Sequence, residues 1–375
     1  MSIAAGLAIM LISFAILEGF RYEIRSKIVS FGGHLQVSKF DTDNNYEEMP
    51  ISIATGISEL NKVKGVKQLQ SYARKTAIIK TDEEVAGVVL KGVGRDYNLS
   101  AFHKLLQSGT PLVLPDTTTN DILISQRLAD KLMLKPDDKV VFYFIQQPPR
   151  FRRLRVAGIF ETGLEEFDDT YVIGDLRQVQ QLNGWDSTEI GGYELLVQNF
   201  DQLDVIAQRV EEKTPYDMQV SKITSIYVQL FDWLSLLKKN VNIFIILIMV
   251  VATFNMVSTL FILILERTQM IGLLKALGAT DLQIREVFFH KGLALTFKGL
   301  LLGNVIGLGF CALQYYTHFI PLDPENYYMS TVPIRWNWPV IGGLNLLILF
   351  ISMFSVFLPT AMISRIKPVK AIKFD

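Results

Sequence analysis

Between Val241 and Leu265 the chain runs for 25 residues without a charged side chain, and 17 of these are Val, Ile, Leu or Phe. At roughly −0.3 kcal/mol or better for each such residue, insertion into a bilayer gains on the order of 5 kcal/mol. The run is long enough to span, so a membrane-embedded fold is required. Composition agrees: half of the 375 residues are apolar and the mean hydropathy is +0.28. The 37 basic and 37 acidic residues cancel in sum, but most lie between about residues 18 and 239, so the two regions face different solvents. The single cysteine, Cys311, excludes an intrachain disulfide, and a domain outside the cytoplasm must hold together by its own core.

Three further spans are predicted. Trp336 to Ser364 is charge-free, with Trp336 and Trp338 as interface anchors at one end and a basic tail at the other. Gly299 to Thr317 has Lys298 at its edge, where a lysine can snorkel, and Gly299, Gly303, Gly307 and Gly309 permit close helix packing. Ser2 to Leu17 is shorter, starts at the initiator methionine without a basic flank, and reads as a span whose N-terminal end is truncated or mis-started. The loop after the second span carries Arg267, Lys275, Arg285 and Lys291, and the tail Arg365, Lys367, Lys370 and Lys373; the 318–335 loop has only Arg335. Loop, tail and N-terminus are therefore cytoplasmic, with the region between the first two spans outside.

The expected organisation is a first span over residues 1–20, an extracytoplasmic domain over 21–237 and a membrane region over 238–375. In the outer domain, strands are predicted at His34–Ser38, Gln68–Lys80 and Val85–Val93, with an amphipathic stretch at Ile53–Val63. A second strand-helix-strand order follows at Tyr193–Val197, Leu203–Lys213 and Met218–Ser221. Between them, Asp121–Leu134 reads as strand and short helix, and Lys139–Ile145 with Leu154–Phe160 as a hairpin. The fold class is a membrane α-helical protein of four spans with a large extracytoplasmic α/β domain, which contains a β-rich inserted subdomain at 116–190.

The segment Glu266 to Ala279 carries the most information. Met270, Leu273, Leu274 and Leu277 follow i, i+3, i+4, i+7 and make one apolar face, while Glu266, Arg267 and Lys275 hold the segment at the membrane surface. Gly278 is placed to end this helix, and Thr280 with Gln283 forms a capping box for the next. Periodicity alone leaves two readings open: a helix across the cytoplasmic mouth that engages a partner, or a connector resting on lipid.

This segment resembles the coupling helix of the FtsX-like permeases of ABC transporters, a family that includes LolC and LolE, MacB and FtsX. The ending Pro359-Thr360-Ala361 with Ser364 to Ile372 resembles that of the family, and Asp121 to Ser125 with Val156 to Phe160 resembles its inserted subdomain. The resemblance implies a non-catalytic permease subunit, with ATP and Mg bound by a separate dimer of ATPase subunits. Its contact residues would be Glu266, Arg267, Met270, Gly272, Leu273, Leu274, Lys275, Leu277 and Gly278. The chain itself has no G-x-x-x-x-G-K-[ST] phosphate loop, and Gly92-Val93-Gly94 reads as a turn.

Length without a fused ATPase domain favours the lipoprotein-releasing LolC/LolE type. The implied partners are a second permease copy or paralogue, the lipid bilayer, a lipoprotein substrate and a periplasmic carrier, with no nucleic acid. Acyl chains would then lie in a cavity lined by Met10, Phe14, Leu17, Phe244, Leu247 and Val251. A regulator of a cell-wall hydrolase and an exporter of peptides or small amphiphiles are the alternatives within the family. In LolC-like permeases a longer loop at the hairpin tip recruits the carrier; here the tip Gln146 to Arg150 is short and reads as a solvated basic turn. Glu165, Glu166, Asp168 and Asp169 lack the spacing of a calcium loop and read as another solvated turn. His34, His103, His290 and His318 are scattered, and no catalytic, cofactor or metal residue is expected.

Overall fold

The computed structural model describes residues 2–40, 46–53, 57–81 and 84–361. The basic tail and the family-like ending beyond Ala361 lie outside the described residues. Four helices are long and apolar enough to cross a membrane. They are α1 (Ser2–Gly32), α2 (Val228–Glu266), α4 (Asp281–Thr317) and α5 (Trp338–Ala361), with the short α3 (Thr268–Ala276) between α2 and α4. Three begin or end well beyond their apolar runs. α1 continues fifteen residues past Leu17, α2 starts thirteen before Val241, and α4 starts eighteen before Gly299. Hydropathy marks only the part of a helix that lies in hydrocarbon, and nothing in these flanks breaks the helix.

The chain divides into two compact units. The first comprises Met1–Glu23, Asp232–Leu322 and Thr331–Asp375. Its core is made by Leu7, Met10 and Leu11 of α1 with Ile245, Leu300, Leu344 and Ile348. α4 meets α1 along its glycines: a Cβ on Gly299 would lie 2.9 Å from Ile3, one on Gly303 2.9 Å from the Ala4 carbonyl oxygen, and one on Gly307 3.0 Å from Ala8 Cα. Hydrocarbon offers no hydrophobic drive between helices, so this close approach supplies their dispersion contact. Gly309, grouped with these glycines by sequence, faces open space instead. Asn304 of α4 and Asn345 of α5 exchange amide hydrogen bonds of 2.6 and 3.1 Å, a polar tie hidden inside two apolar runs.

The second unit, Ile24–Phe231 with Asp323–Ser330, is built on one mixed sheet. Its strands are β1 (Leu35–Lys39), β3 (Val66–Lys80), β4 (Val85–Val93), β5 (Leu106–Gly109), β6 (Asp121–Ser125), β7 (Lys139–Phe144), β8 (Arg150–Phe160), β9 (Tyr171–Asp175), β11 (Gly192–Val197) and β12 (Met218–Lys222). β2 (Ile51–Ser52) and β10 (Glu189–Ile190) pair separately. The order is β12-β1-β11-β3-β4-β9-β6-β8-β5, and β7 bridges β3 and β8. The path β3-β4-β9-β6-β8-β7-β3 therefore closes on itself as a six-stranded barrel.

The expected insertion at 116–190 is not a separate sheet, because the long β3 and β4 belong to the barrel and β3 also pairs with β11. Alternation explains how the barrel fills: Val140, Phe142 and Phe144 of β7 are buried, while of the residues between them Val141 is half-buried and Tyr143 exposed. Gly92 and Val93 belong to β4 rather than to a turn, which begins only at Gly94. Where the amphipathic stretch Ile53–Val63 was expected, the described part is a 3-10 helix at Ile57–Lys62.

A buried ion pair ties this sheet to the end of α1. Lys91 of β4 donates to Glu194 Oε1 of β11 at 2.6 Å and to the Phe31 carbonyl, and Tyr97 donates to Glu194 Oε2 at 2.8 Å. Phe31 is in the last turn of α1, where carbonyls have no helical partner and a cation is favoured. Burial holds the Lys91 ammonium below its ordinary pKa, opposed by the Glu194 carboxylate.

His34, between α1 and β1, accepts the Val197 amide at Nδ1, 3.2 Å away. Burial first, then the charges of Arg25 and Lys67, lowers its pKa to about 4. The unfolded imidazole titrates near 6.5, so between about pH 6.5 and 4 only the unfolded state takes up the proton. Stability is thus fully present above 6.5, falls as the pH drops to 4, and levels off below, a loss on the order of 3 kcal/mol. The melting temperature of the purified chain is expected to drop more between pH 7 and pH 4.5 in the wild type than in His34→Gln. Equal drops would show that His34 does not carry this dependence.

Candidate functional site

α2 ends at Glu266 because Arg267 leaves the helical region (φ −104°, ψ 15°), and Thr268 Oγ1 donates to the Leu265 carbonyl at 2.7 Å. The short α3 is then pinned from inside by Ile271, fully buried against Ile264, Ile284 and Phe288. At its end the Gly278 and Ala279 amides return to the Lys275 and Leu274 carbonyls at 3.1 and 2.9 Å. Gly278 takes φ +96°, in the left-handed region that a side chain disfavours. Thr280 and Gln283 form the reciprocal capping box that starts α4, with bonds of 2.9 and 3.4 Å.

The result is a fixed corner that turns one apolar face outward. Leu277 is 77% exposed and Leu273 56%, with Met270 and Leu274 beside them. Glu266, Arg267 and Gly278 are exposed as well. Two of the expected contact residues are placed differently. Gly272 is buried with Ile271 on the inner side, and Lys275 is largely covered and bonded to Asp281 at 2.8 Å, which closes the corner. Ile271 was missed by sequence, although an isoleucine off the i, i+3, i+4, i+7 stripe was the available sign that the helix has a second, inward face. Met270, Leu273, Leu274 and Leu277 thus form one apolar patch that is uncovered among the described residues, of the kind that meets either protein or membrane.

The six expected cavity residues are not brought together. Met10 and Leu17 are buried in helix packing and Phe14 is half-buried, whereas Phe244, Leu247 and Val251 are exposed on another side of α2. α2 turns Ile245, Ile248 and Met249 toward the core instead. Met10 does border a narrow crevice in the membrane unit, with Gly6 of α1, Met249 and Met256 of α2, and Ile348 and Ser352 of α5.

The basic hairpin tip is not free. Arg150 donates to the Gln181 and Leu182 carbonyls at 2.8 and 3.1 Å, at the end of the helix Leu176–Asn183, and Arg155 grips Asp121 with bonds of 2.8 and 2.6 Å. The acidic stretch is a short helix, Glu165–Thr170, rather than a solvated turn. Its Asp168 is buried and accepts from Thr162 Oγ1 (2.8 Å) and the Gly163 amide (2.9 Å). Among the described residues no three His, Cys, Asp or Glu side chains are grouped to hold a metal.

Residues 242–368 match the FtsX-like permease C-terminal family, and residues 1–213 match the MacB-like periplasmic core domain. The chain belongs to the FtsX-like permeases with a MacB-like periplasmic core. It is 23% identical over 392 residues to the lipoprotein-releasing system transmembrane protein LolC of Xylella fastidiosa (strain Temecula1), covering 100% of this chain and 92% of that one. An uncharacterized ABC transporter permease of Bacillus subtilis, YknZ, is 21% identical over 400 residues, covering 100% and 94%. The crystal structure of the periplasmic region of MacB from Actinobacillus actinomycetemcomitans aligns with a TM-score of 0.38 at 12% identity, over 54% of this chain and 95% of that one. By its family matches and these relatives, the chain is an ABC transporter permease of the LolC/LolE/FtsX/MacB type. Its four spans and periplasmic core fit a multi-pass inner-membrane protein.

Proposed function

We propose that the chain is the non-catalytic permease subunit of an ABC transporter, coupling ATP hydrolysis in a separate ATPase dimer to movement of its periplasmic core. In this reading ATP and Mg bind only the ATPase, and a second permease copy or paralogue completes the membrane part. The carrying observation is the outward apolar face of α3, which is held on a corner fixed by Ile271, the Lys275–Asp281 pair and the capping box. A helix so anchored transmits a push at Leu273 and Leu277 to α2 and α4 without first unfolding.

Release of a lipoprotein from the membrane is the work proposed, supported by full-length likeness to LolC. The α1–α2–α5 crevice presents an apolar wall, since the Thr253 and Ser355 hydroxyls on it donate to carbonyls of their own helices. For docking of a periplasmic carrier, the support in the barrel is a row in which Gly87, Ile78, Tyr143 and Phe151 stand opposite one another on four adjacent strands. Tyr143 and Phe151 of this row are exposed.

The test is copurification of the ATPase with the permease. Leu273→Asp and Leu274→Asp each put an uncompensated charge into the apolar contact, and loss of one anchor of about 2 kcal/mol weakens assembly roughly thirtyfold. Gly278→Val is expected to keep part of the ATPase while uncoupling hydrolysis, because the helix end is redirected but the face is intact. Full ATPase occupancy and stimulated hydrolysis in both aspartate variants would reduce α3 to a surface connector.

A further inference from the structure

The cytoplasmic half of α4 carries two lysines where the helix lies against the end of an apolar run. Phe288 packs on Ile264, one residue from the end of the charge-free stretch of α2, and Gly299 meets Ile3 of α1. At 1.5 Å per residue, Lys291 stands about 4.5 Å and Lys298 about 15 Å further along the axis than Phe288. Both are exposed, and among the described residues neither makes an ion pair or hydrogen bond. An unneutralised lysine at this depth is unfavourable and calls for an anion or water.

Geometry narrows the choice. The two lysines are seven residues apart, two turns on one face, and both side chains lean toward the N-terminus, here the cytoplasmic end, so the two ammonium groups follow one another along that face about 10.5 Å apart. Glu286 is about 140° around the axis from Lys291, too far round to neutralise it, and His290 directs Nδ1 to the Glu286 carbonyl at 2.8 Å. Beyond Lys298 the same face continues with Leu301 and Val305, 66% and 65% exposed. A basic end toward the cytoplasm followed by an apolar stretch toward the bilayer centre matches a phospholipid in the orientation of the cytoplasmic leaflet.

We propose that this face of α4 holds an anionic phospholipid of the cytoplasmic leaflet, its phosphate at Lys298, the rest of its headgroup toward Lys291 and an acyl chain laid along Leu301 and Val305. The basic residues favour an anionic headgroup over a zwitterionic one by about fivefold for each lysine. The full chain, reconstituted in phosphatidylcholine, is irradiated with trace phosphatidylglycerol or phosphatidylcholine carrying a diazirine in the acyl chain, and labelled peptides are mapped by mass spectrometry. The phosphatidylglycerol probe is expected to label the 299–306 region, to fall about fivefold in Lys291→Gln or Lys298→Gln, and to return in Lys291→Arg/Lys298→Arg. Equal labelling by the two probes, or labelling unchanged in Lys291→Gln/Lys298→Gln, would overturn the proposal. So would efficient disulfide formation between two copies of a Lys298→Cys variant, which would assign the face to a second permease.

Discussion

Gly303→Val is expected to be the most disruptive single substitution in the membrane unit. A Cβ there would sit 2.9 Å from the Ala4 carbonyl oxygen and 2.9 Å from Leu7 Cβ, so backbone as well as side chain must give way. Overpacking a tight interior typically destabilises by 1–3 kcal/mol, and a clash with backbone places this case at about 3 kcal/mol or more. The neighbouring Asn304–Asn345 tie would be strained with it, since α4 cannot move off α1 without shifting that pair. Gly309→Val is the matched control, because nothing lies within 4 Å of its added Cβ. Thermal unfolding of both variants in the same detergent checks this: a clear drop for Gly303→Val and none for Gly309→Val is expected. Equal behaviour would mean that the glycine face is not what holds α1 to α4.

In the periplasmic unit, Lys91→Met is expected to cost about 3–5 kcal/mol. It removes the cation from a carboxylate that is 1% exposed, leaving Glu194 with Tyr97 as its remaining hydrogen-bond donor. It also leaves the Phe31 carbonyl at the end of α1 without its Lys91 partner. Replacing both charges should be far milder, since an apolar pair of similar volume removes the desolvation penalty together with the attraction. Chemical denaturation of Lys91→Met and of Lys91→Met/Glu194→Met, followed by protection of β4 and β11 from hydrogen exchange, separates the cases. A Lys91→Met variant within 1 kcal/mol of wild type would show that water reaches this pair. A double variant no better than the single one would show that side-chain volume, not charge, is the issue.

The membrane part was legible because its signal is local. A charge-free run of 20 or so residues reports its own environment, and the capping box at Thr280 and the stop at Gly278 are read from a few neighbouring residues. The outward stripe Met270, Leu273, Leu274 and Leu277 was readable for the same reason: polar neighbours gave the periodicity a phase. The six proposed cavity residues failed on that point. A helix apolar on every side has no phase, so nothing in the α2 sequence says that Ile245 rather than Phe244 turns inward.

In the periplasmic core most strands were visible as alternating or apolar runs, whereas their partners were not. Barrel closure through Ile78 opposite Tyr143 joins residues 65 positions apart and leaves no mark within either strand. The same holds for Lys91 with Glu194, which in sequence are two unremarkable charges in predicted strands. The sequence by itself determined what each segment needs from its surroundings: hydrocarbon for the four spans, water and a cover for the α3 stripe, burial for alternate strand residues. Only the tertiary structure decided which segments meet those needs for one another, because pairing, helix phase and the neutralisation of buried charge depend on contacts between distant residues.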